Sequence, residues 1–247
     1  MRGLIAFVSP SNKSLYVNSL PPIGLLGIAS FIESKGYPVD VIDGNIQEFN
    51  PDFKKYDFFC FAVNIANVTS TFKTVDYIKL NYPDKKVILG GPSTPSIGQR
   101  YAQSCNADAV IVGEGEYSLL EFLQSQDISN VKGLFIKEKN GNIKFTGERK
   151  LIMNLDELPF PALDKVPLEK YDVPMKQAKP ICNLITSRGC PNSCTYCFHT
   201  KAWRQRSAKN VVDEIAWQVK LGIKEIAIND DNFTLNEKRA EEICDMI

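Results

Sequence analysis

The chain has 247 residues, which is enough for one large domain or two ordinary ones. Lys and Arg together number 29, as do Asp and Glu, so the formal net charge is zero, and 44% of the residues are hydrophobic. This balance excludes the basic surface typical of nucleic-acid-binding proteins and a basic tail for membrane surfaces. Apolar runs such as residues 58–63 are far too short to span a bilayer. From the charge balance and the short apolar runs together, we expect neither nucleic acid nor a membrane among the partners.

The N-terminal residues 1–8 are mostly apolar, but they lack the small-residue cleavage site of a signal peptide. We therefore interpret them as a first β-strand. The chain contains seven cysteines, and without a secretion signal this number favours a reducing, cytoplasmic location. Four of the cysteines are scattered and are predicted to be small buried side chains: Cys60, Cys105, Cys182 and Cys244.

Up to about residue 126, short apolar runs alternate with amphipathic segments. The apolar runs predict strands over residues 4–9, 39–42, 58–63, 87–89 and 109–112. Amphipathic spacing predicts helices over residues 23–35, 69–80, 97–104 and 117–124. Strands that alternate with helices form parallel sheets covered on both faces, so the predicted fold class is α/β, with a Rossmann-like doubly wound sheet.

The pattern changes after this region. Residues 133–136 and 143–146 predict two short strands around an Asn140-Gly141 turn, and this β-hairpin completes a first domain over residues 1–150. Prolines then become frequent and predict a linker over residues 151–180.

A second β–α pattern occupies residues 181–247. Strands are predicted over residues 181–186 and 225–229. The first is followed by a helix over residues 211–221 that ends at Gly222, and Asn236 is the predicted cap of a helix from residue 237 onward. This region therefore contains two β–α units.

Three cysteines follow the first strand of this region, at the C-x3-C-x2-C spacing of Cys190, Cys194 and Cys197. Structural zinc sites and ordinary iron–sulfur clusters use four ligands, whereas three thiolates leave one iron of a cubane cluster open for a substrate or cofactor. The alternatives are a chance group of core cysteines and a zinc site completed by His199, the single histidine of the chain. The turn residues Gly189 and Pro191 and the unusual zinc spacing of His199 favour the iron–sulfur interpretation.

The motif, including the aromatic Tyr196 before the last cysteine, resembles the signature of radical S-adenosylmethionine enzymes. The resemblance implies that the three cysteines bind a 4Fe–4S cluster whose fourth iron is chelated by S-adenosylmethionine, and that Tyr196 packs beside the adenine. In this family, reduction of the cluster cleaves S-adenosylmethionine to methionine and a 5′-deoxyadenosyl radical. It also implies an external reductant such as flavodoxin or ferredoxin.

The flanking sequence extends the resemblance to the first two β–α units of the family's partial (β/α)6 barrel. Asp230 and Asp231 end a predicted strand, where barrels place their sites, so they are candidate cofactor-binding residues. The alternative is that they are solvated carboxylates in a helix-entry loop. Arg204 and Arg206 are expected to be surface charges.

The first domain resembles the cobalamin-binding domain that precedes many radical S-adenosylmethionine barrels. The resemblance depends on short motifs in order along the chain, from Pro21-Pro22-x-Gly24 to the segment at residues 155–162. Glycines just past strand ends let a bulky ligand approach the backbone. The candidate cobalamin-binding residues are Asn45, Gly90, Gly91, Pro92, Ser93, Gly113, Gly115 and Glu116. The domain lacks the Asp-x-His-x-x-Gly motif that supplies a histidine to cobalt, so any cobalamin must bind without that ligand.

These resemblances imply a cobalamin-dependent radical S-adenosylmethionine enzyme that methylates an unactivated carbon or phosphorus centre of an unknown substrate. The alternatives are a cobalamin-dependent radical cyclase or rearrangement enzyme and a corrinoid- or cluster-binding fragment without turnover. Two barrel units fall short of six, so we expect this chain to be an incomplete, inactive part of a longer protein. No residue is assigned a catalytic role.

Replacing Cys190, Cys194 and Cys197 together with alanine is expected to abolish the cluster absorption band after anaerobic reconstitution with iron and sulfide, because no local thiolate ligands would remain. The four scattered cysteines stay in place and control for adventitious iron binding. Persistence of the band would show that the ligand assignment is wrong.

Overall fold

A computed structural model describes residues 3–11, 19–47, 50–197 and 201–247. The described residues up to Leu151 form one compact unit, apart from residues 19–23, which belong with Ile152–Ile247 in a second unit. Within the described ranges, none of the helices has the length and apolar character that a membrane span requires.

The first unit is built on a seven-stranded sheet with four helices. Its strands are β1 (Ile5–Ser9), β2 (Val39–Asp43), β3 (Phe58–Ala62), β4 (Lys86–Gly90), β5 (Ala109–Ile111), β6 (Leu134–Lys137) and β7 (Ile143–Phe145). Its helices are α1 (Ile23–Ser34), α2 (Val68–Asn81), α3 (Thr94–Ser104) and α4 (Gly115–Gln124).

The strand order is β2-β1-β3-β4-β5-β6-β7, and the first five strands are parallel. In the centre of the sheet, Phe7 lies between Val41 and Cys60. The order reverses at β1, since β2 lies on one side of it and β3 to β5 on the other. Right-handed crossovers then place helices on both faces, so the predicted doubly wound α/β fold is confirmed.

The sheet is buried because its strands are apolar on both faces. Ala6 and Val8 pack in one core cluster with Val75 of α2 and Tyr101 of α3. The intervening Phe7 is equally buried and points to the other face, as strand alternation requires. Continuous apolar runs of this kind are typical of parallel strands covered on both sides.

The predicted hairpin is present, but it is part of the sheet. β6 pairs antiparallel with β5, placing Phe135 opposite Val110, and β7 pairs antiparallel with β6. At the turn, Gly141 adopts a positive φ of 86°, which glycine tolerates because it has no Cβ. The hairpin therefore covers the edge that β5 would otherwise expose.

The second unit contains two parallel strands, β8 (Ile181–Leu184) and β11 (Glu225–Ile228), with Cys182 opposite Ile226. The helices are α5 (Ala208–Lys220) and α6 (Glu237–Met246). The two predicted β–α units are therefore present. α5 starts three residues earlier than predicted, because the Ser207 side chain accepts a hydrogen bond from the backbone N–H of Asn210 at 3.1 Å and caps the helix.

A two-residue antiparallel ladder was not predicted. It joins β9 (Ser187–Arg188) to β10 (Arg204–Gln205), with Arg188 opposite Arg204. Strands this short have no periodicity that a sequence pattern could reveal.

The proline-rich residues predicted as a linker contain three 3₁₀ turns, Leu155–Glu157, Leu163–Lys165 and Leu168–Lys170. Proline disfavours helix interiors and central strands but tolerates such turns. Leu163 and Tyr171 are completely buried, and the structure groups this segment with the second unit.

Replacing Gly91 with alanine is expected to destabilise the protein by about 2–4 kcal/mol, measured by urea unfolding. Gly91 has a φ of 135°, and a Cβ there would lie 2.3 Å from the carbonyl oxygen of Val63. The neighbouring Gly90→Ala is the matched control, because the nearest atom to its Cβ would be the Cβ of Ile111 at 3.9 Å. Equal stabilities of the two variants would contradict the prediction.

Candidate functional site

The three cysteines of the motif lie on a loop of the second unit that follows β8. The β9–β10 ladder closes the base of this loop, and Gly189 begins it with a φ of 80°. The loop therefore leaves the carboxyl end of a parallel strand, which is where α/β folds place ligand sites. His199, the alternative zinc ligand, lies outside the described residues.

The thiols of this loop are accessible. Cys190 is half-buried, Cys194 and Cys197 are exposed, and all three are free thiols. The backbone N–H of Cys197 donates to the carbonyl of Cys194 at 3.1 Å. Among the described residues, no group of three potential ligands is placed to hold a metal ion. The donor set thus fits a cluster in its chemistry, while the thiols are not gathered around one point.

Tyr196 lies on the same loop, and 83% of its surface is exposed. Its predicted contact with the adenine of S-adenosylmethionine stays a prediction. An exposed aromatic ring beside the cysteines is compatible with stacking on a base.

The scattered cysteines differ from those of the motif. Cys60, Cys105 and Cys182 are buried, as predicted, whereas Cys244 is exposed on α6, so the prediction of burial is wrong there. Burial raises the pKa of the Cys182 thiol to about 12 and also raises the pKa values of Cys60 and Cys105. These three remain protonated thiols at neutral pH and are poor metal ligands.

The acidic pair at the end of β11 has two different environments. The side chain of Asp230 is completely buried. Its two oxygens accept hydrogen bonds from the backbone and hydroxyl groups of Thr186 and Ser187 at 2.5–3.2 Å. Asp231 is exposed. The solvated alternative is therefore wrong for Asp230, and the cofactor-binding role of both residues stays a prediction.

Arg204 and Arg206 are not the surface charges that we expected. Arg204 is buried, and its guanidinium donates to the carbonyl of Ile152 at 2.7 Å. Arg206 forms an ion pair with the buried Glu214 at 2.5 Å. Burial raises the pKa of Glu214, and the charge of Arg206 opposes this effect. The burial of these two arginines could not be predicted from the sequence, because both follow a loop without apolar periodicity.

In the first unit, the candidate cobalamin-binding residues lie at the carboxyl edge of the sheet. Asn45 follows β2, and its amide donates to the Ser9 hydroxyl at 3.3 Å and the Asp43 carboxylate at 2.8 Å. Gly90 is the last residue of β4 and residues 91–93 follow it, and residues 113–116 follow β5. Parallel pairing thus brings the candidates together along one edge.

At three of these positions, the packing or the backbone conformation of the protein itself requires glycine. Gly91 touches the backbone of Val63, as described above. Gly113 has a φ of 79°, and a Cβ at Gly115 would lie 2.8 Å from the Cδ1 atom of Ile28. Gly90 is different: its φ is not positive, and the nearest atom to a Cβ there lies 3.9 Å away. A Cβ at Gly90 would therefore make only an ordinary van der Waals contact, so neither the backbone conformation nor packing within the protein requires glycine there.

The other candidates at this edge also contact the protein. The Ser93 hydroxyl donates to the carbonyl of Val63 at 3.2 Å, and Pro92 is exposed beside it. Glu116 is 2% exposed in the first turn of α4. A carboxylate there is stabilised by the positive end of the helix dipole, which gives Glu116 a role in the fold.

Sequence reasoning missed the loop after β3, which lies at the point where the strand order reverses. The Asn67 side chain shapes this loop, since its amide donates to the carbonyl of Ala62 at 3.0 Å and its oxygen accepts from the backbone N–H of Asn64 at 2.8 Å. Ile65 is 74% exposed on the same loop. The paired asparagines were the available signal, but their position at the reversal depends on the strand order.

The structure is that of an α/β protein with a mostly parallel sheet, and its cysteine loop carries a donor set suited to a metal cluster. No protein-family model matches the chain. The chain is 33% identical over 245 residues to an uncharacterized methyltransferase of Pyrococcus horikoshii, covering 90% of this chain and 51% of that protein. It is 26% identical to the anaerobic magnesium-protoporphyrin IX monomethyl ester cyclase of Rubrivivax gelatinosus, covering 98% of this chain and 47% of that protein.

Two further comparisons name the cofactors of the matched proteins. The cobalamin-dependent radical SAM methyltransferase TokK of Streptomyces tokunonensis is 25% identical over 79% of this chain and 30% of its own length. The radical S-adenosylmethionine methyltransferase TsrM of Kitasatospora setae, solved with cobalamin and a [4Fe-4S] cluster bound, superposes with a TM-score of 0.77 at 18% identity. That match covers 98% of this chain and 50% of TsrM and shows the fold.

The chain is thus similar to cobalamin-dependent radical S-adenosylmethionine enzymes, and the predicted resemblance is confirmed. The chain spans about half the length of the Pyrococcus and Rubrivivax relatives.

Proposed function

We propose that this chain is the cobalamin- and cluster-binding part of a radical S-adenosylmethionine enzyme that methylates an unactivated carbon or phosphorus centre. The observation that carries the proposal is the loop after β8, which presents three free thiols at the C-x3-C-x2-C spacing. The methyltransferase names of the Pyrococcus and Streptomyces relatives support methyl transfer.

In this proposal, Cys190, Cys194 and Cys197 hold a 4Fe–4S cluster, and Tyr196 and Asp231 lie where they can contact S-adenosylmethionine. The residues at the edge of the first sheet hold cobalamin, among them Gly90, where packing within the protein does not require glycine. The bound groups supply the radical and the methyl group, and the protein holds them and excludes water. An electron donor such as flavodoxin or ferredoxin reduces the cluster, which fits a reducing, cytoplasmic location.

Cobalamin binding can be tested with the full chain. After anaerobic loading and desalting, the wild-type protein is expected to retain a corrinoid absorption band. Gly90→Ala adds one methyl group at the edge where we propose that cobalamin approaches, so we expect the affinity for cobalamin to fall by about 1–3 kcal/mol, or roughly 5- to 150-fold. The absence of a corrinoid band in the wild type would contradict cobalamin binding.

A matched control adds a methyl group elsewhere. Ser129→Thr lies in the 3₁₀ turn Ile128–Asn130 after α4. The turn contains none of the candidate cobalamin-binding residues. We expect its corrinoid affinity to equal that of the wild type. Wild-type affinity in Gly90→Ala as well would show that the cofactor does not approach Gly90.

The Rubrivivax relative favours a second candidate, radical cyclisation with cobalamin in a role other than methyl donation. Product analysis with S-adenosylmethionine labelled on its methyl group distinguishes the two. Methyl transfer predicts that the label appears in the product. An unlabelled, cyclised product would overturn the methyltransferase proposal.

A further inference from the structure

Asp230 is a buried carboxylate of the second unit whose partners lie just before the cysteine loop. One oxygen of Asp230 accepts from the backbone N–H groups of Thr186 and Ser187, at 2.6 and 3.2 Å. The other accepts from the hydroxyl groups of the same two residues, at 2.5 and 2.7 Å. Asp230 thus joins the carboxyl end of β11 to that of β8.

Arg239 of α6 completes this arrangement from a third element. Its guanidinium donates to the carbonyl of Thr186 at 3.1 Å and to the Thr186 hydroxyl at 3.0 Å. It also lies 3.8 Å from the Asp230 carboxylate, and both side chains are almost wholly buried. Burial lowers the pKa of Arg239, and the charge of Asp230 opposes this effect. We call Asp230, Arg239, Thr186 and Ser187 the Asp230 network.

The network fixes the last residues before the motif. Every polar atom of Thr186 has a partner, because its carbonyl also accepts from the backbone N–H of Arg206 at 2.9 Å. Gly189 and Cys190 follow within four residues, and from residue 191 to 197 the loop is exposed. Thr186 and Ser187 are therefore the fixed point from which the first cysteine is presented.

We propose that Asp230 is a positioning residue for the cysteine loop, and not a ligand of S-adenosylmethionine. Each of its oxygens already accepts two hydrogen bonds, so neither can accept from a cofactor without losing a bond that holds Thr186 or Ser187. A buried ion pair contributes little net stability compared with apolar residues, but removing one partner is costly. In this protein, the role of the Asp230–Arg239 pair is to fix the geometry of the chain beside Cys190.

Two substitutions separate hydrogen bonding from charge. Asp230→Ala removes both acceptor oxygens, and with them all four hydrogen bonds, and leaves two buried N–H groups unpaired. Asp230→Asn keeps an oxygen for the backbone N–H groups, while its NH2 group can donate to the hydroxyl oxygens, which are also acceptors. If positioning depends on these bonds, asparagine rescues most of what alanine loses.

The first measurement is hydrogen exchange of the full chain without cofactors. In Asp230→Ala, amides 186 and 187 are expected to exchange at least about tenfold faster than in the wild type, because a buried N–H without a partner promotes local opening. Asp230→Asn is expected to stay within about threefold of the wild type. Unchanged exchange in Asp230→Ala would overturn the proposal.

The second measurement concerns the cluster and rests on the proposed function. After anaerobic reconstitution, Asp230→Ala is expected to bind less than about half the iron of the wild type and to show a broadened electron paramagnetic resonance signal, because Cys190 is no longer held in place. Wild-type iron content and an unchanged signal in Asp230→Ala would overturn the positioning role. Failure of the wild type itself to bind iron would contradict the proposed function, while the exchange result would still test the network.

Two controls exclude general destabilisation. Val211→Ala removes buried apolar volume in the core of the same unit, and Asp213→Asn removes an exposed carboxylate that pairs with Lys209. Both are expected to keep wild-type iron content at temperatures where they are folded. Loss of iron in Val211→Ala equal to that in Asp230→Ala would overturn a specific role.

If Asp230→Ala does not fold, Thr186→Val is the alternative variant. It replaces only the hydroxyl group and is expected to show the same exchange and iron changes in weaker form.

Discussion

Parallel strand pairing is the constraint on which both units of this protein depend. In each unit it places the carboxyl ends of the parallel strands at one edge, together with the loops that leave them. The edge of the first unit gathers Asn45, Gly90 and the loop after β5 from distant parts of the sequence. In the second unit the same rule brings the end of β11 beside the end of β8, where the cysteine loop begins.

The two edges are stabilised by different interactions. In the first unit, close backbone packing dominates, because Gly91 contacts Val63 and Gly115 contacts Ile28 without an intervening Cβ. In the second unit, the edge is stabilised by two pairs of buried charges, Asp230 with Arg239 and Glu214 with Arg206. Buried charges require partners in defined directions, so they fix backbone geometry more narrowly than apolar contacts do.

This difference matters for the cysteine loop. The loop is exposed, and its three thiols are not gathered around a metal site in the described residues. Its base is nevertheless held by the β9–β10 ladder and by the hydrogen bonds to Asp230. The base of the loop is thus held in place, while its thiols remain accessible to an incoming cluster.

The sequence by itself determined the α/β class, most of the elements and the cysteine motif, because periodicity and short-range spacing are local properties of a chain. Tertiary structure decided what long-range contacts control. Arg204 and Arg206 carry no local sign of burial, and Cys244 looks like any other scattered cysteine, so the sequence placed all three wrongly. It could not separate Asp230 from Asp231 either, because adjacent aspartates differ only in what they meet across the fold: Thr186 and Ser187, more than 40 residues away, surround one of them and leave its neighbour exposed.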